Sequence, residues 1–137
     1  MKELRKLIFT RKPGAEEIDI ARTEEQLGAR FPDKFRELIQ LVNQAEIDEW
    51  VIYPIIDSKR VAKTWDDIVR NNKESNYSGL EDRMIFIAED GTGDLLCFKV
   101  GPEGKMEETI YYLDHETEVV TPLYDDIEQM ITDLIQE

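Results

Sequence analysis

The chain has 137 residues, 41% of them hydrophobic and 35% charged, and its formal net charge at pH 7 is −14. This length suits one domain over residues 1–137, and it suffices to bury a core without a metal or a disulfide. The negative charge argues against binding to nucleic acid or to anionic lipid, because both are negatively charged themselves. No apolar run approaches the ~18 residues of a membrane-spanning helix, so we expect no membrane partner.

The charge is distributed unevenly along the chain. Residues 1–36 carry nine Lys or Arg and seven Asp or Glu, whereas residues 37–137 carry eight and 24, which leaves balances of +2 and −16. Such a field attracts basic partners, although the same charge could serve solubility alone. The N-terminus is too polar for a signal peptide and the single cysteine has no internal disulfide partner, so we expect a cytoplasmic protein.

Three helices are predicted in the first third of the chain. The first covers residues 1–9, and the second covers residues 15–27 with Gly28 as its C-cap. A third helix opens near Pro32, since proline favours the first helical position. Its apolar residues recur at helical spacing, which predicts one buried stripe. This stripe consists of Phe35, Leu38, Ile39 and Val42.

A strand and a further helix are predicted next. Residues 50–53 are rich in β-formers, and Pro54 indicates either the end of that strand or an edge position. The following helix is capped by Asp57 or Ser58. Its apolar face consists of Val61, Trp65, Ile68 and Val69. Residues 71–79 are polar and without periodicity, which indicates a loop.

The remainder is predicted as a meander of strands closed by one helix. The strands cover residues 84–88, 95–100 and 109–113, with an extension at residues 119–120. Pro122 starts the helix with Thr121 as its cap, and its apolar face consists of Leu123, Ile127, Met130, Ile131 and Leu134. Consecutive strands joined by short turns pair antiparallel. The predicted class is therefore α+β, a small antiparallel sheet of about four to six strands flanked by helices.

A glycine-rich loop between two of these strands has the most informative sequence. Residues 89–94 contain two glycines and three carboxylates. A phosphate cradle is disfavoured, because a P-loop needs a lysine and a following helix. The ligand spacing of a calcium loop is also absent, which leaves only a weak cation site as an alternative. The remaining interpretations are an acidic contact surface and a simple turn, since Gly91 and Gly93 tolerate positive φ.

No catalytic, metal or cofactor site is predicted. His115 is the only histidine, and no cysteine pair is present to complete a tetrahedral zinc site. A nucleophilic pair of Cys97 and His115 is an alternative. However, Cys97 lies in an apolar strand, where burial raises the pKa of a thiol and makes it unreactive. We therefore expect a protein that is not an enzyme.

The aromatic residues divide into two groups. The residues on apolar stripes, predicted to be core, are Phe35, Trp65, Phe86 and Phe98. The less constrained residues are Trp50, Tyr53, Tyr77, Tyr111 and Tyr112. Tyrosine and tryptophan beside an acidic surface are suitable anchors for a protein partner, and the alternative for each is ordinary packing.

A series of motifs that resembles a known protein family begins with the second predicted helix. This acidic helix contains Ile20 and Glu24, ends in Leu27-Gly28, and is followed by Phe31-Pro32-Asp33-Lys34-Phe35. The arrangement is similar to the opening pattern of the SUKH superfamily. That superfamily includes the domain of the yeast Smi/Knr cell-wall regulator and many bacterial immunity proteins.

Later segments extend this resemblance. Asn43 matches the family's asparagine after the third helix, although the glycine usual beside it is Gln44 here. Residues 87–94 resemble the family's Gly-rich hairpin, and residues 112–116 resemble the strand end that often carries Asp-His-Glu. The resemblance therefore covers the chain from about residue 16 to the C-terminal helix.

The resemblance implies an α+β fold and, for bacterial members, binding rather than catalysis. Many such members are encoded beside polymorphic toxins, often nucleases with basic surfaces, and neutralise them by direct contact. The implied partner is a protein with a basic toxin domain, contacted by carboxylates if the hairpin and strand-end loops cluster at one rim. The candidate contact residues are Glu89, Asp90, Asp94, Asp114, Glu116, Trp50, Tyr53 and Tyr112. A regulatory or scaffold domain of the Smi/Knr type and an enzyme of unknown class are the alternatives, and the oligomeric state is left open.

Overall fold

The computed structural model describes residues 1–74, 80 and 82–135, and it has an antiparallel sheet with helices packed against it. The helices are α1 (Lys2–Arg5), α2 (Glu17–Leu27), α3 (Asp33–Leu41), α4 (Val61–Thr64), α5 (Ile68–Lys73) and α6 (Ile127–Ile135). The strands are β1 (Glu46–Ile47), β2 (Trp50–Ile52), β3 (Met84–Glu89), β4 (Leu95–Val100), β5 (Met106–Leu113) and β6 (Val120–Tyr124). The α+β class predicted from the sequence is confirmed.

The sheet is a meander in which the six strands lie in chain order and each is antiparallel to the next. This order follows from connections too short to form a parallel crossover. Strand β4 covers the predicted residues, and β3 is one residue longer than predicted. Strand β1 was not predicted, because two residues are too short to carry an alternating pattern.

The sheet curls around the C-terminal helix. Strands β1 and β6 are its two edges, yet α6 contacts both of them as well as β5. One helix can reach both edges only if the sheet is strongly curved. Irregularities of register occur in β3, β4 and β5 and supply local bends of the kind that β-bulges introduce.

A row of phenylalanines joins α3 to the sheet. The ring of Phe35 lies 5.3 Å from that of Phe31 and 5.1 Å from that of Phe98 on β4, centroid to centroid. All three side chains are buried. The predicted stripe on α3 is buried along its whole length, so that prediction is confirmed. The Phe35–Phe98 pair is an edge-to-face contact, and such a contact adds about 1 kcal/mol to the burial of the rings themselves.

The end of α2 also agrees with the sequence. Gly28 has a φ of 72°, in the left-handed region, and its N–H donates to the Glu24 carbonyl at 2.9 Å. The Glu24 carboxylate accepts from the backbone N–H of Phe31 at 2.9 Å and lies 3.4 Å from Arg36. Glu24 therefore fixes the turn that leads from α2 into α3.

The helix predicted after Ser58 is broken into α4 and α5. Residue Arg60, rather than Asp57 or Ser58, precedes α4, and Asp67 caps α5 by accepting from the Arg70 N–H at 3.2 Å. The prediction that Trp65 is a core residue was wrong, since its side chain is 58% exposed and stacks under the Arg70 guanidinium at 4.7 Å. The predicted stripe assumed one continuous helix, and the break removes that geometry.

Residues 120–124 form β6 rather than the start of the last helix. Pro122 pairs with Tyr111 and Thr121 pairs with Tyr112, so Thr121 is not a cap, and Leu123 is exposed. Proline has no N–H to donate to a neighbouring strand, so it is tolerated on an edge strand such as β6. Helix α6 begins at Ile127, and the side chain of Asp126 accepts from the Gln129 N–H at 2.8 Å.

The predicted polar loop at residues 71–79 is in part helical. Residues 71–73 end α5, and residues 75–79, with Tyr77 among them, lie outside the described residues. Asn72 joins α5 to β3, since its Nδ2 donates to the Phe86 carbonyl at 2.9 Å and its Oδ1 accepts from the Phe86 N–H at 2.8 Å.

Asn43 connects the chain after α3 to the segment after β2. Its Nδ2 donates to the Ile55 carbonyl and its Oδ1 accepts from the Ile55 N–H, both at 2.9 Å. Its backbone N–H donates to the Pro13 carbonyl at 2.9 Å, and the residue is buried. The next residue, Gln44, has a φ of 67°. Gln44 thus has a left-handed backbone, the conformation that glycine adopts most readily.

Candidate functional site: an acidic rim

The loop between β3 and β4 is a tight turn stabilised from within. The Asp90 carboxylate accepts from the Thr92 N–H at 3.0 Å and from the Thr92 hydroxyl at 2.7 Å. Gly91 and Gly93 have φ values of 88° and 107°, where a side chain would be strained. The interpretation of this loop as a glycine-dependent turn is confirmed.

The loop between β5 and β6 is organised in the same way. The Asp114 carboxylate accepts from the backbone N–H groups of Glu116 at 2.8 Å and Thr117 at 3.3 Å. Aspartate favours such turns because its short side chain reaches the backbone two residues ahead. Glu116 and Glu118 are exposed on this loop.

Asp94 and His115 join the two loops. One oxygen of the Asp94 carboxylate accepts from the backbone N–H of His115 at 3.0 Å and lies 2.6 Å from its Nδ1. The other oxygen accepts from the hydroxyl of Tyr112. A Cβ on Gly93 would lie 3.0 Å from Cγ of His115, so the close approach of the loops also requires glycine there. We call this surface, residues 89–94 and 112–118, the acidic rim.

The hydrogen bonds among Asp94, Tyr112 and His115 shift the pKa values of all three side chains. Hydrogen bonds from Tyr112 and then from His115 stabilise the carboxylate and lower the pKa of Asp94 to about 2. The same bond to Asp94 raises the pKa of Tyr112 to about 12. The bond to Asp94 also raises the pKa of His115 above its usual value. Asp94 is therefore a fixed negative charge inside the rim.

The carboxylates named from the sequence fall into two roles. Glu89 and Glu116 are exposed at the rim, whereas Asp90, Asp94 and Asp114 are half-buried and bonded to the loops. The structure thus brings together the hairpin and strand-end loops. The exposed glutamates present charge to solvent, and the aspartates maintain the loop shapes.

The aromatic candidates lie mostly below the rim. Trp50 is 3% exposed and packs edge-on against Tyr112 at 5.9 Å between ring centroids. Tyr53 is 8% exposed, and its hydroxyl donates to the Glu89 carboxylate at 3.2 Å. Burial raises the pKa of Tyr53 above its ordinary value. Trp50 and Tyr53 therefore support the rim from inside rather than stand as exposed anchors, and half-buried Tyr112 contacts both Trp50 and Asp94.

In the part of the chain that the structure describes, one group of side chains has ligand atoms close enough to hold a cation. Atoms of Asp94, Asp114 and His115 lie within 4.8 Å of one another. The oxygen of Asp94 nearest His115 already accepts two hydrogen bonds, and Asp114 accepts two from the backbone. These bonds account for the cluster without an ion.

Cys97 and His115 do not form a nucleophilic pair. The Cys97 thiol is fully buried in β4, and burial raises its pKa to about 12. Its sulfur lies 3.8 Å from the Tyr111 carbonyl, while Nδ1 of His115 is engaged by Asp94. A thiol that stays protonated and buried is a poor nucleophile.

The sequence interpretation missed the role of His115. Its isolated position in a polar loop indicated no function, because a contact with Asp94, 21 residues away, leaves no local pattern. The signal that could have located it is the pairing of β4 with β5. Leu95 lies opposite Leu113, which places the residues just outside that pair side by side.

A family model described as the SMI1/KNR4 family (SUKH-1) matches residues 14–133. The chain therefore belongs to the SMI1/KNR4 (SUKH-1) family, as its motifs predicted. No curated protein and no solved structure matches the chain significantly. Within the described part of the chain, no helix has the length and apolar character needed to cross a membrane.

Proposed function

We propose that this protein is an immunity protein that neutralises a basic toxin domain, of the nuclease kind, by direct binding through the acidic rim. The observation that carries the proposal is the contact of Asp94 with His115, which gathers the carboxylates of two loops on one surface. Membership of the SUKH-1 family supports a role in binding rather than in catalysis. We propose that the protein acts in the cytoplasm, where a toxin would meet its target.

Charge supports this choice of partner. A nuclease needs a basic surface to hold phosphate, and the net charge of this chain is −14. Opposite fields on two proteins raise the rate of association and suppress encounters with acidic proteins. The exposed Glu89 and Glu116 at the rim would meet Lys or Arg side chains on the toxin.

The rigidity of the rim supports tight binding. Asp94 anchors both loops, and Trp50 packs beneath Tyr112. Binding then orders few groups, because the loops already hold their shape, and less entropy is lost.

The test uses the protein encoded beside this chain. The two proteins are co-expressed and co-purified, and affinity is measured for the intact chain and for the double variant Glu89→Lys and Glu116→Lys. We expect the double variant to lose about 100-fold or more in affinity, since rim charges both steer association and pair across an interface. The matched control is Glu25→Lys with Glu37→Lys, two exposed glutamates on α2 and α3 that undergo the same change of charge, and it should change affinity little at 150 mM salt.

The outcomes separate the candidate functions. Binding that is unaffected by charge reversal at Glu89 and Glu116 would exclude the rim as the contact surface. A neighbouring protein that is toxic but does not bind the intact chain would exclude immunity for that pair. A partner drawn from the host's own pathways, with no toxin encoded nearby, would favour a regulatory domain of the Smi/Knr type.

A further inference from the structure

The pocket beside α4 has the opposite charge to the rest of the molecule. Three segments line it, namely residues 11–13 before α2, residues 43–44 after α3, and residues from 57 to 64 around α4. Its volume is about 430 Å³, within the ~300–1,000 Å³ that small-molecule pockets occupy. The cationic side chains on its wall are Arg11, Lys12, Arg60 and Lys63, and we call it the basic pocket.

The lining of this pocket neutralises only part of its positive charge. Among the described residues that line it, Asp57 is the one acidic residue, and its carboxylate accepts from Arg60 at 2.9 Å and from the Lys59 N–H at 2.9 Å. The lining therefore has three positive charges in excess, in a chain whose net charge is −14. Like charges gathered on one surface repel one another, and an anion bound between them removes that repulsion.

Several of these cations have donors available for a ligand. Within residues 1–74, 80 and 82–135, the ammonium group of Lys63 forms neither a hydrogen bond nor an ion pair, and only its backbone N–H is bonded, to the Arg60 carbonyl at 3.1 Å. Arg60 uses one terminal nitrogen for Asp57, and Arg11 uses one for the Ile8 carbonyl at 3.3 Å. A guanidinium has five N–H groups, so both arginines retain donors.

The walls of the pocket are built before any ligand arrives. Thr64 accepts from the Asp57 N–H at 3.0 Å and donates to the Arg60 carbonyl at 3.0 Å, which fixes the segment that carries Arg60 and Lys63. On the opposite wall, buried Asn43 is bonded to Ile55, and Gln44 has a φ of 67°. Backbone strain of this kind is frequent where a protein shapes a binding site.

We propose that the basic pocket binds a small phosphate monoester. A phosphate monoester carries close to two negative charges at pH 7 and three acceptor oxygens, which suits an excess of three cations better than a single carboxylate does. Arginine guanidinium groups pair with phosphate through two parallel N–H bonds. The pocket volume leaves room for an organic group against Pro13 and the alkyl stems of the lysines. This site is separate from the acidic rim, so it stands whether or not the rim binds a toxin.

The test is isothermal titration calorimetry at low salt. Adenosine 5′-monophosphate, inorganic phosphate and adenosine are each titrated into the protein. We expect saturable binding of the monophosphate, weaker binding of inorganic phosphate, and none of adenosine. Lys63→Gln should weaken monophosphate binding about tenfold, the loss expected for one charge-assisted hydrogen bond. Lys63 is exposed on α4, so this variant should fold normally.

A matched control separates the pocket from the general field of the protein. Lys99→Gln removes the same charge on β4, outside the pocket lining, and should change affinity less than about twofold. Equal losses in Lys63→Gln and Lys99→Gln would overturn the location of the site. Equal affinity for phosphate and monophosphate would overturn the ester assignment, and the absence of saturable binding by either would overturn the proposal.

Discussion

His115 holds the carboxylate of Asp94 twice, through its backbone N–H at 3.0 Å and through its ring Nδ1 at 2.6 Å. This single pair of residues unites the loop that follows β3 with the loop that follows β5. The two loops of the acidic rim are therefore joined by two residues that are 21 positions apart in the sequence.

This relationship can be tested by titration of the imidazole. Because His115 is the only histidine, its NMR signals are unambiguous. The bond to Asp94 raises the pKa of His115, so we expect a measured pKa above 6.5 in the folded protein. In Asp94→Asn the carboxylate charge is lost, and the pKa should move down toward that of a free histidine. An identical pKa in both proteins would contradict the ion pair.

The same pair predicts how stability depends on pH. A histidine whose pKa is raised on folding stabilises the protein fully below its unfolded pKa of about 6.5, and that contribution is lost as pH rises through the folded value. Asp94 has its pKa lowered to about 2, so its contribution is present above about 4 and is lost as pH falls toward 2. Thermal unfolding of the intact chain and of His115→Ala should converge as pH rises from 6 to 9.

Asn43 is predicted to be a major determinant of stability. Replacement by Ala leaves the buried N–H and carbonyl of Ile55 without their side-chain partners. We expect a loss of about 3 kcal/mol in the free energy of unfolding, measured by urea denaturation, because each unsatisfied group costs about 1–3 kcal/mol. Gln26→Ala, at an exposed position on α2, is the control and should change stability by less than about 0.5 kcal/mol.

The position after Asn43 should accept glycine. Gln44 has a φ of 67°, and left-handed backbone costs about 1–2 kcal/mol for a residue with a Cβ. Gln44→Gly should therefore leave the melting temperature unchanged or raise it, although it loses the contact of Gln44 with Lys12. Gln44→Val should lower it, since β-branched residues fit this conformation worst. A large loss of stability in Gln44→Gly would mean that the Lys12 contact outweighs the strain.

Cys97 should behave as a core residue. Its thiol is fully buried with a pKa raised to about 12, so a thiol reagent at pH 8 should modify it only after unfolding. The control is the same reagent in 6 M guanidinium chloride, where one thiol per chain should react. Rapid reaction of the folded protein would show that β4 opens easily and would reopen a chemical role for Cys97.

Local patterns in the sequence were sufficient to predict much of the fold. The stripe on α3, the cap at Gly28 and the two strands around the glycine-rich loop all follow from interactions between residues close in the chain. Prediction from local patterns failed where the sequence gives no clear signal for the end or the start of a helix. Trp65 is exposed because α4 ends before it, and Pro122 lies in a strand because pairing with Tyr111 outweighs its preference for a helix start.

By itself, the sequence determined the α+β class, the family and the tight turn of Glu89 to Asp94, because periodicity, glycine and motif order are properties of neighbouring residues. Only the tertiary structure decided that Asp94 meets His115, that Trp50 and Tyr53 lie beneath the rim, and that Arg11 faces the same pocket as Lys63. These relationships depend on strand register and on the curl of the sheet, which bring together residues that share no local pattern.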